Sequence, residues 1–202
     1  MARVAHVIGN GDSAVYYQEE PRKGLKVTCN LPPFPVPDAW ATCMVDFKMQ
    51  KTIHKGEVEV PGEWVLGARP KIYCEKNPQY HMQHAHQIKE FFVDIPKYAG
   101  NYTDFNCGHM ATYYVLRRLK AEEVHMWGFD AIFDFNMRSY TDLYINSDRG
   151  NMNNNRLITN WRPIWQKMFN QFPDVKFYLH HKHDALKFKK PNNVEIVVHG
   201  KK

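Results

Sequence analysis

Short apolar runs that each end in polar residues recur along the first part of the chain. Three such runs span residues 3–8, 25–30 and 40–45. Apolar runs of this length are typical of strands in a parallel sheet that is buried on both faces. Ligands of such sheets collect at the carboxyl ends of the strands. We therefore expect a binding rim at the polar residues that close the runs, which are Asn10, Asn30 and Asp46.

The second half of the chain alternates helical and strand patterns. An apolar stripe at helical spacing predicts helices over residues 108–122 and 159–172. Strands are predicted at residues 123–127, 174–179 and 195–198, the last of them at an edge. This alternation favours an α/β fold. We expect one Rossmann-like domain over residues 1–202, with a mostly parallel sheet flanked by helices.

Between these halves the pattern is weaker. Residues 65–66 and 71–73 are short strand candidates, and residues 79–92 are a helix candidate. Residues 134–155 are polar and rich in asparagine, which predicts a lid or binding loop. Residues 182–202 form a lysine-rich C-terminal segment, which suits a solvated tail or a binding surface.

Composition limits the class of protein. With 202 residues, of which 44% are apolar and 24% charged, the chain is neither disordered nor collagen-like. No apolar run is long enough for a membrane span, and the N-terminus does not resemble a signal peptide, so we expect a cytoplasmic protein. The net charge of +6 allows a nucleic acid, an acidic membrane or a phosphate-bearing ligand. Because no nucleic-acid motif is present, we expect no specific nucleic-acid partner.

The four cysteines contain no C-x-x-C pair, which excludes a zinc ribbon and a thioredoxin motif. Their even number allows two disulfides. We expect instead buried thiols in a reducing compartment, because scattered cysteines in a chain of this size usually pack as small apolar residues.

Two glycine-containing turns are candidate anion sites. Gly11 and Ser13 lie in a Gly-x-Gly turn after the first strand, and Gly108 lies in an Asn-Cys-Gly-His sequence that opens a predicted helix. Main-chain N–H groups at such turns bind anions. The first turn lacks the third glycine of the dinucleotide fingerprint and the lysine of a P-loop. Capping by Asp12 or Ser13, and by Asn106, is the structural alternative for the two turns.

Histidine clusters and one aspartate complete the candidate chemistry. One histidine cluster lies at positions 81, 84 and 86, and the other at 180, 181 and 183. Neither contains a cysteine or carboxylate at zinc-ligand spacing, so we expect surface histidines and no metal. Asp130 directly follows a predicted strand and the sequence Gly128-Phe129, so it is placed either to bind a ligand or to cap a turn.

The order of these motifs resembles that of the bacterial lipooligosaccharide sialyltransferases. The matching segments are Gly-Asn-Gly-Asp-Ser after the first strand, Thr-Cys-Asn at the second, Asn-Cys-Gly-His at a helix start and Trp-Gly-Phe-Asp after a later strand. They lie in about the first 135 residues. The resemblance implies a glycosyltransferase that transfers sugar from a nucleotide-activated donor of the CMP-sialic acid type to a hydroxyl acceptor, without a metal or other cofactor.

The resemblance also implies a ligand site. It would be lined by Asn10, Gly11, Ser13, Asn30, Asn106, Cys107, Gly108, Gly128 and Asp130, with Asp46 at the same rim and Tyr140 as a substitute for a phosphate-binding tyrosine. The lid contains no histidine to act as general base. Candidate bases are Asp142, Asp148, His109 and His180, with His181 a further histidine within the second cluster.

Three other functions stay open at this stage. Related Rossmann-like proteins include pterin diphosphokinases, which would use ATP and magnesium. A shortened derivative of viral or mobile-element origin would bind a nucleotide or sugar without catalysis. Nucleic-acid binding would show a steep dependence on salt. The acceptor would be a glycan or a small molecule, and the aromatic content allows a homo-oligomer.

Overall fold

A sheet of eight parallel strands forms the centre of the structure, a computed structural model that describes residues 3–19, 22–60, 62–135, 141 and 157–200. The strands are β1 (Val4–Ile8), β2 (Leu25–Cys29), β3 (Ala39–Met44), β4 (Trp64–Leu66), β5 (Ile88–Phe91), β6 (Glu123–Trp127), β7 (Lys176–His181) and β8 (Val194–Val198). Their order is β5-β4-β3-β2-β1-β6-β7-β8, and every pair is parallel. The predicted α/β fold with a Rossmann-like parallel sheet is confirmed.

Within the described part of the chain, five α-helices cover the two faces of this sheet. They are α1 (Phe47–His54), α2 (Ala68–Lys76), α3 (Pro78–His84), α4 (Cys107–Arg117) and α5 (Arg162–Gln171). The apolar stripes of α4 and α5 pack on the face that carries Val7, Val27 and Val124. Helices α1 to α3 enclose a second cluster around Met44 and Trp64 on the opposite face. Because both faces are covered, the central strands are buried, as their mostly apolar runs predict.

The middle of the chain differs from the sequence expectation. Residues 71–73 lie in α2 rather than in a strand, and residues 79–92 divide into α3 and the edge strand β5. Helix α2 buries only Pro70 and Cys74, so it has no apolar stripe that would reveal a helical period. Helix α1 was not anticipated, because its buried side includes the polar residues Gln50 and Thr52.

The chain reverses its direction of travel across the sheet after β5. Strands β1 to β5 are added outward on one side, and α4 then leads back to β6, which pairs with β1 on the other side. This arrangement makes the carboxyl ends of β1 and β6 a topological switch point, where open α/β sheets form a crevice.

The C-terminal edge strand and the four cysteines agree with the sequence predictions. Strand β8 forms an edge of the sheet within the lysine-rich segment 182–202, as predicted for residues 195–198. All four cysteines are buried and free, which confirms that they pack as thiols. Among the described residues, no helix has the length and apolar character needed to span a bilayer.

Candidate functional site

A cavity of about 110 Å³ opens at the switch point between β1 and β6. Its walls come from the loops that follow β1, β2 and β6, from the start of α4, and from two tryptophans at the start of α5. The residues that line it are Gly9, Asn10, Gly11, Cys29, Asn30, Asn106, Cys107, Gly108, Gly128, Phe129, Asp130, Ala131, Trp161 and Trp165. A cavity needs a volume of roughly 10–15 Å³ to hold one water molecule, so this cavity accepts a group of several heavy atoms.

Most of the ligand residues expected from the sequence meet at this cavity. Those that line it are Asn10, Gly11, Asn30, Asn106, Cys107, Gly108, Gly128 and Asp130. Ser13 and Asp46 do not line it. The Asp46 carboxylate instead accepts the N–H of Lys48 at 2.9 Å and caps α1. Tyr140 lies outside the described residues.

The glycines of the β1 loop allow it to pack directly on the β6 loop. The N–H of Gly9 donates to the carbonyl of Trp127 at 2.7 Å, and that of Gly11 donates to the carbonyl of Gly128 at 3.0 Å. A Cβ atom at Gly11 would lie 2.7 Å from both that carbonyl oxygen and Asp130 Oδ2. The contact between these two loops therefore requires a glycine at position 11, whether or not a ligand binds there.

The Asp130 carboxylate binds the turn after β1, where the sequence predicts a ligand anion. Its carboxylate accepts the N–H of Ser13 at 3.3 Å and also the Ser13 hydroxyl. Burial raises the pKa of Asp130, but the contact with His181 and the hydrogen bonds from Ser13 outweigh burial and hold the pKa below its usual value. The cavity thus has a fixed negative charge on one wall.

The start of α4 forms another wall of the cavity. The Asn106 side chain accepts the N–H of His109 at 2.9 Å, and the N–H of Asn106 donates to His109 Nδ1, which completes a capping box. The alternative reading of Asn106 as an N-cap is confirmed. The N–H groups of Cys107 and Gly108 belong to the first turn, which supplies no intrahelical acceptor for them.

Gly108 is explained by a neighbouring ring. A Cβ atom at this position would lie 2.6 Å from Cε1 of Phe129. The residue allows α4 to approach the β6 loop closely, and this approach brings the first turn of α4 to the cavity.

Three polar atoms at the cavity have no hydrogen-bond partner among the described residues. They are Oδ1 of Asn10, Oδ1 of Asn30 and the indole Nε1 of Trp161, and all three atoms are buried. Asn30 is 2% exposed and adopts a left-handed backbone conformation, with φ of 49°. A buried polar atom without a partner costs about 1–3 kcal/mol. Two acceptors and one donor at the cavity are therefore left without a partner among the described residues.

The remaining lining is aromatic and lacks cationic side chains. Phe129, Trp161 and Trp165 supply aromatic surface, and no lysine, arginine or histidine occurs among the described residues that line the cavity. Arg162 lies nearby, but its guanidinium donates to the carbonyls of Ala131 and Asp134 at 3.0 Å each. A highly charged polyphosphate would find only main-chain donors at these walls.

The structure places His109, a candidate base, in a fully buried position. Its Nδ1 accepts the N–H of Asn106, and its Nε2 lies 3.2 Å from the carbonyl of Trp161. Burial lowers the pKa of His109 to about 3, against a smaller opposing effect of the Trp161 carbonyl. Both nitrogens are engaged within the protein, so His109 has no free lone pair to accept a proton from substrate.

His180, the second histidine candidate, lies in a chain of imidazoles away from the cavity lining. Its Nε2 is 2.9 Å from His125 Nδ1, and its Nδ1 is 2.8 Å from His199 Nε2. Burial, together with the neighbouring histidines, lowers the pKa of His180 to about 2. The expectation of a surface histidine is wrong here, and also at His181, because both side chains are buried.

A second polar cluster lies next to the cavity, and the sequence did not reveal it. Asp134 accepts hydrogen bonds from His181 Nε2 at 3.1 Å and from His183 Nε2 at 2.8 Å. Burial raises the pKa of Asp134, but its contacts with His183 and His181 outweigh this and lower the pKa overall. The carboxylate that completes the second histidine cluster is 47 residues away in sequence from His181, so local spacing gives no signal.

The remaining candidates fall in residues 134–155, for which the sequence predicts a lid or binding loop. Asp142 and Asp148, the carboxylate candidates for the general base, lie outside the described residues.

Comparison of the whole chain with family models, with curated proteins and with solved structures gives no match.

Proposed function

We propose that the cavity binds the nucleoside phosphate of a nucleotide-activated sugar and that the chain is a glycosyltransferase-like protein. The observation that carries this proposal is the combination of unpartnered Asn10, Asn30 and Trp161 atoms with aromatic surface at the switch point. Such a crevice is the usual ligand position in open parallel sheets.

Each part of a nucleotide has a complementary group at the walls. Trp161, Trp165 and Phe129 offer aromatic surface to a planar base. The amide oxygens of Asn10 and Asn30 accept from an exocyclic amine or a ribose hydroxyl, and the indole N–H of Trp161 donates to a base carbonyl. The first turn of α4 favours one phosphate through its N–H groups and helix dipole.

The charge at the walls favours a monophosphate ester over a polyphosphate. Asp130 places a carboxylate at the cavity, and the described lining contains no cationic side chain to balance several phosphate charges. A donor of the CMP-sialic acid type has one phosphate, so it fits this balance better than ATP does. In the proposed reaction the sugar passes to a hydroxyl of a glycan or small-molecule acceptor, without a metal.

Binding without catalysis is the second candidate. His109 and His180 both have their two ring nitrogens engaged within the protein. Neither is therefore available to deprotonate an acceptor hydroxyl. In this case the chain would bind a nucleotide or sugar and leave it unchanged.

The site of action is part of the same proposal. All four cysteines are buried thiols, as expected in a reducing compartment, and we propose a cytoplasmic location. Homo-oligomer formation stays a prediction from composition.

Calorimetric titration of the full chain tests ligand binding. The ligands are CMP, CMP-sialic acid, UDP- and GDP-sugars, and ATP with and without magnesium. We expect magnesium-independent binding of the CMP compounds, whereas binding of ATP only with magnesium would favour a diphosphokinase. Binding of none of these ligands would overturn the proposal.

Two variants and a matched control locate the ligand. Asn10→Ala removes one unpartnered amide oxygen, and Asn30→Gly removes the other while keeping the left-handed backbone accessible. Each should weaken CMP binding about tenfold, which corresponds to roughly 1.4 kcal/mol. Asn192→Ala, at an exposed amide, is the control. Unchanged affinity in both cavity variants would place the ligand elsewhere.

Release of CMP from CMP-sialic acid separates the two candidates. Turnover that requires an added glycan or small hydroxyl acceptor identifies a transferase. Tight binding without turnover over a panel of such acceptors identifies a binding protein.

A further inference from the structure

We propose that Asp134, His181 and His183 form a binding site for a divalent transition-metal ion of the zinc class. One ligand atom from each of the three residues lies within 4.8 Å of the others. Two imidazoles and a carboxylate suit zinc, cobalt or iron(II) better than magnesium or calcium, which prefer oxygen ligands. The proposal is independent of nucleotide binding in the neighbouring cavity.

The fold brings the three ligands together at one edge of the sheet. His181 is the last residue of β7, and His183 follows two positions later. Asp134 follows the short turn after β6, the strand that pairs with β7. His181 Nε2 lies 3.1 Å from Asp134 Oδ2, and His183 Nε2 lies 2.8 Å from the other oxygen, Oδ1. Both separations are near the roughly 3.3 Å between two ligands of a tetrahedral zinc ion.

A neighbouring ring fixes the orientation of both imidazoles. Phe133 stacks on His181 with ring centroids 4.1 Å apart and an interplanar angle of 8°. The same phenyl ring meets His183 edge-on, with centroids 5.8 Å apart. His181 is 1% exposed, so its ring cannot rotate freely. The donor atoms are thus held in place before an ion arrives.

An unpartnered buried nitrogen is a second observation that points to a metal. Nδ1 of His181 has no hydrogen-bond partner among the described residues, although Asp130 Oδ1 lies 3.4 Å away. In the neutral ring, a proton on Nε2 faces Asp134 and leaves the Nδ1 lone pair facing a carboxylate. A metal on Nε2 shifts that proton to Nδ1, where it points at Asp130. Metal-bound histidines characteristically donate their other N–H to a carboxylate in this way.

His183 must make one adjustment to coordinate. Its Nδ1 accepts the N–H of Ala185 at 3.2 Å, which places the proton of the neutral ring on Nε2. Coordination through Nε2 moves this proton to Nδ1 and breaks that hydrogen bond. Because the Ala185 N–H is at an exposed position, water can replace the lost acceptor. Lys182, whose Nζ lies 3.8 Å from Asp134 Oδ2, is exposed and can turn away from an incoming cation.

Three protein ligands leave at least one coordination position for water or a ligand group. Asp130 lines the cavity and also faces His181, so it connects the proposed metal site to the nucleotide site. This departs from the sequence expectation that no metal is bound.

The test begins with the tag-free full chain after treatment with EDTA and desalting. Titration with Zn²⁺ and with Co²⁺, in the absence of nucleotide, should show one equivalent bound, and Co²⁺ should give the visible absorption of a four- or five-coordinate ion. Mg²⁺ and Ca²⁺ should bind at least a hundredfold more weakly. Absence of stoichiometric Zn²⁺ and Co²⁺ binding would overturn the proposal.

Variants then assign the ion to these residues. Asp134→Ala and His183→Gln change partly exposed side chains, and each should weaken Zn²⁺ binding at least tenfold. His86→Gln, at an exposed histidine of the other cluster, is the control and should bind as the wild type does. Equal binding in all three variants would contradict the proposal. The ¹⁵N shifts of His181 provide a readout in the wild type, because Zn²⁺ should leave its ring proton on Nδ1; unchanged shifts at saturating Zn²⁺ would count against the site.

Discussion

The main-chain N–H of Ser13 donates to Oδ2 of Asp130 at 3.3 Å, across 117 residues of sequence. The Ser13 hydroxyl donates to the other oxygen of the same carboxylate. Together these bonds connect the loop after β1 to the loop after β6. The hydrogen-bond donors of the β1 loop therefore bind a carboxylate of the protein itself. The negative charge of Asp130 therefore belongs to the cavity wall, and the proposed nucleotide phosphate would bind farther away, at the start of α4.

Replacement of Ser13 by alanine should destabilise the protein. The variant loses a hydrogen bond to a buried charge, which is worth about 1.5–3 kcal/mol. The free energy of unfolding, measured by urea denaturation, should fall by about that amount. Thr103→Ala, which removes an exposed hydroxyl bonded to Asn101, is the control and should change it by less than about 0.5 kcal/mol. Equal effects of the two substitutions would show that the Ser13 hydroxyl does not hold the loops together.

The sequence predicted the sheet well because its strands carry strong local signals. Mostly apolar runs around Val7, Val27 and Val124 reveal buried parallel strands, and the stripe on α4 reveals a helix. Helix α2 and strand β5 have weaker signals. Helix α2 buries too few residues to show a period, and β5 is an edge strand whose four residues are all only half-buried.

The candidate site could be predicted where it depends on strand ends and on the start of α4. Asn10 and Asn30 follow strands β1 and β2, so parallel pairing alone brings them to one edge. The partners of Asp130 and Asp134 could not be predicted, because they arise from contacts between residues far apart in sequence. Gly108 shows the same limit: its sequence suggested close approach of a ligand, whereas the nearest group is the Phe129 ring.

The contact between Gly108 and Phe129 can be tested by a double-mutant cycle. Gly108→Ala places a Cβ 2.6 Å from the Phe129 ring and should destabilise the protein by about 1–3 kcal/mol. In a Phe129→Ala background the same substitution should be neutral or stabilising, because alanine has the higher helix propensity. Thermal and urea denaturation of the four proteins measure the coupling. Additive effects would mean that the ring does not restrict this position.

Trp161→Phe should separate ligand binding from stability. It removes the buried, unpartnered indole N–H, whose loss does not break a hydrogen bond among the described residues, and keeps an aromatic ring. The free energy of unfolding should stay within about 1 kcal/mol of the wild-type value, while the affinity for CMP should fall about five- to tenfold.

Trp40→Phe is the matched control, because Trp40 is partly exposed and does not line the cavity. It should bind CMP with wild-type affinity. Wild-type CMP affinity in the Trp161→Phe variant would show that the indole N–H does not contact the ligand.

Acid should destabilise the protein through its buried neutral histidines. Burial lowers the pKa of His109 to about 3 and that of His6 to about 4, whereas both titrate near 6.5 in the unfolded chain. Between these values the unfolded state binds protons that the folded state does not. The stabilisation is therefore complete above about pH 6.5 and is lost as the pH falls, by up to about 1.4 kcal/mol per pH unit for each histidine.

His109→Gln isolates one of these protons. Glutamine at the third position of α4 can maintain the capping box with Asn106, and its amide can still donate to the Trp161 carbonyl. Urea denaturation between pH 4 and 7 measures how the free energy of unfolding depends on pH. The slope should be shallower in the variant, because it takes up about one proton fewer on unfolding than the wild type does. His86→Gln, at an exposed position, should leave the slope unchanged. A wild-type slope in His109→Gln would mean that His109 is protonated as readily in the folded as in the unfolded chain, contrary to its burial beneath Trp165.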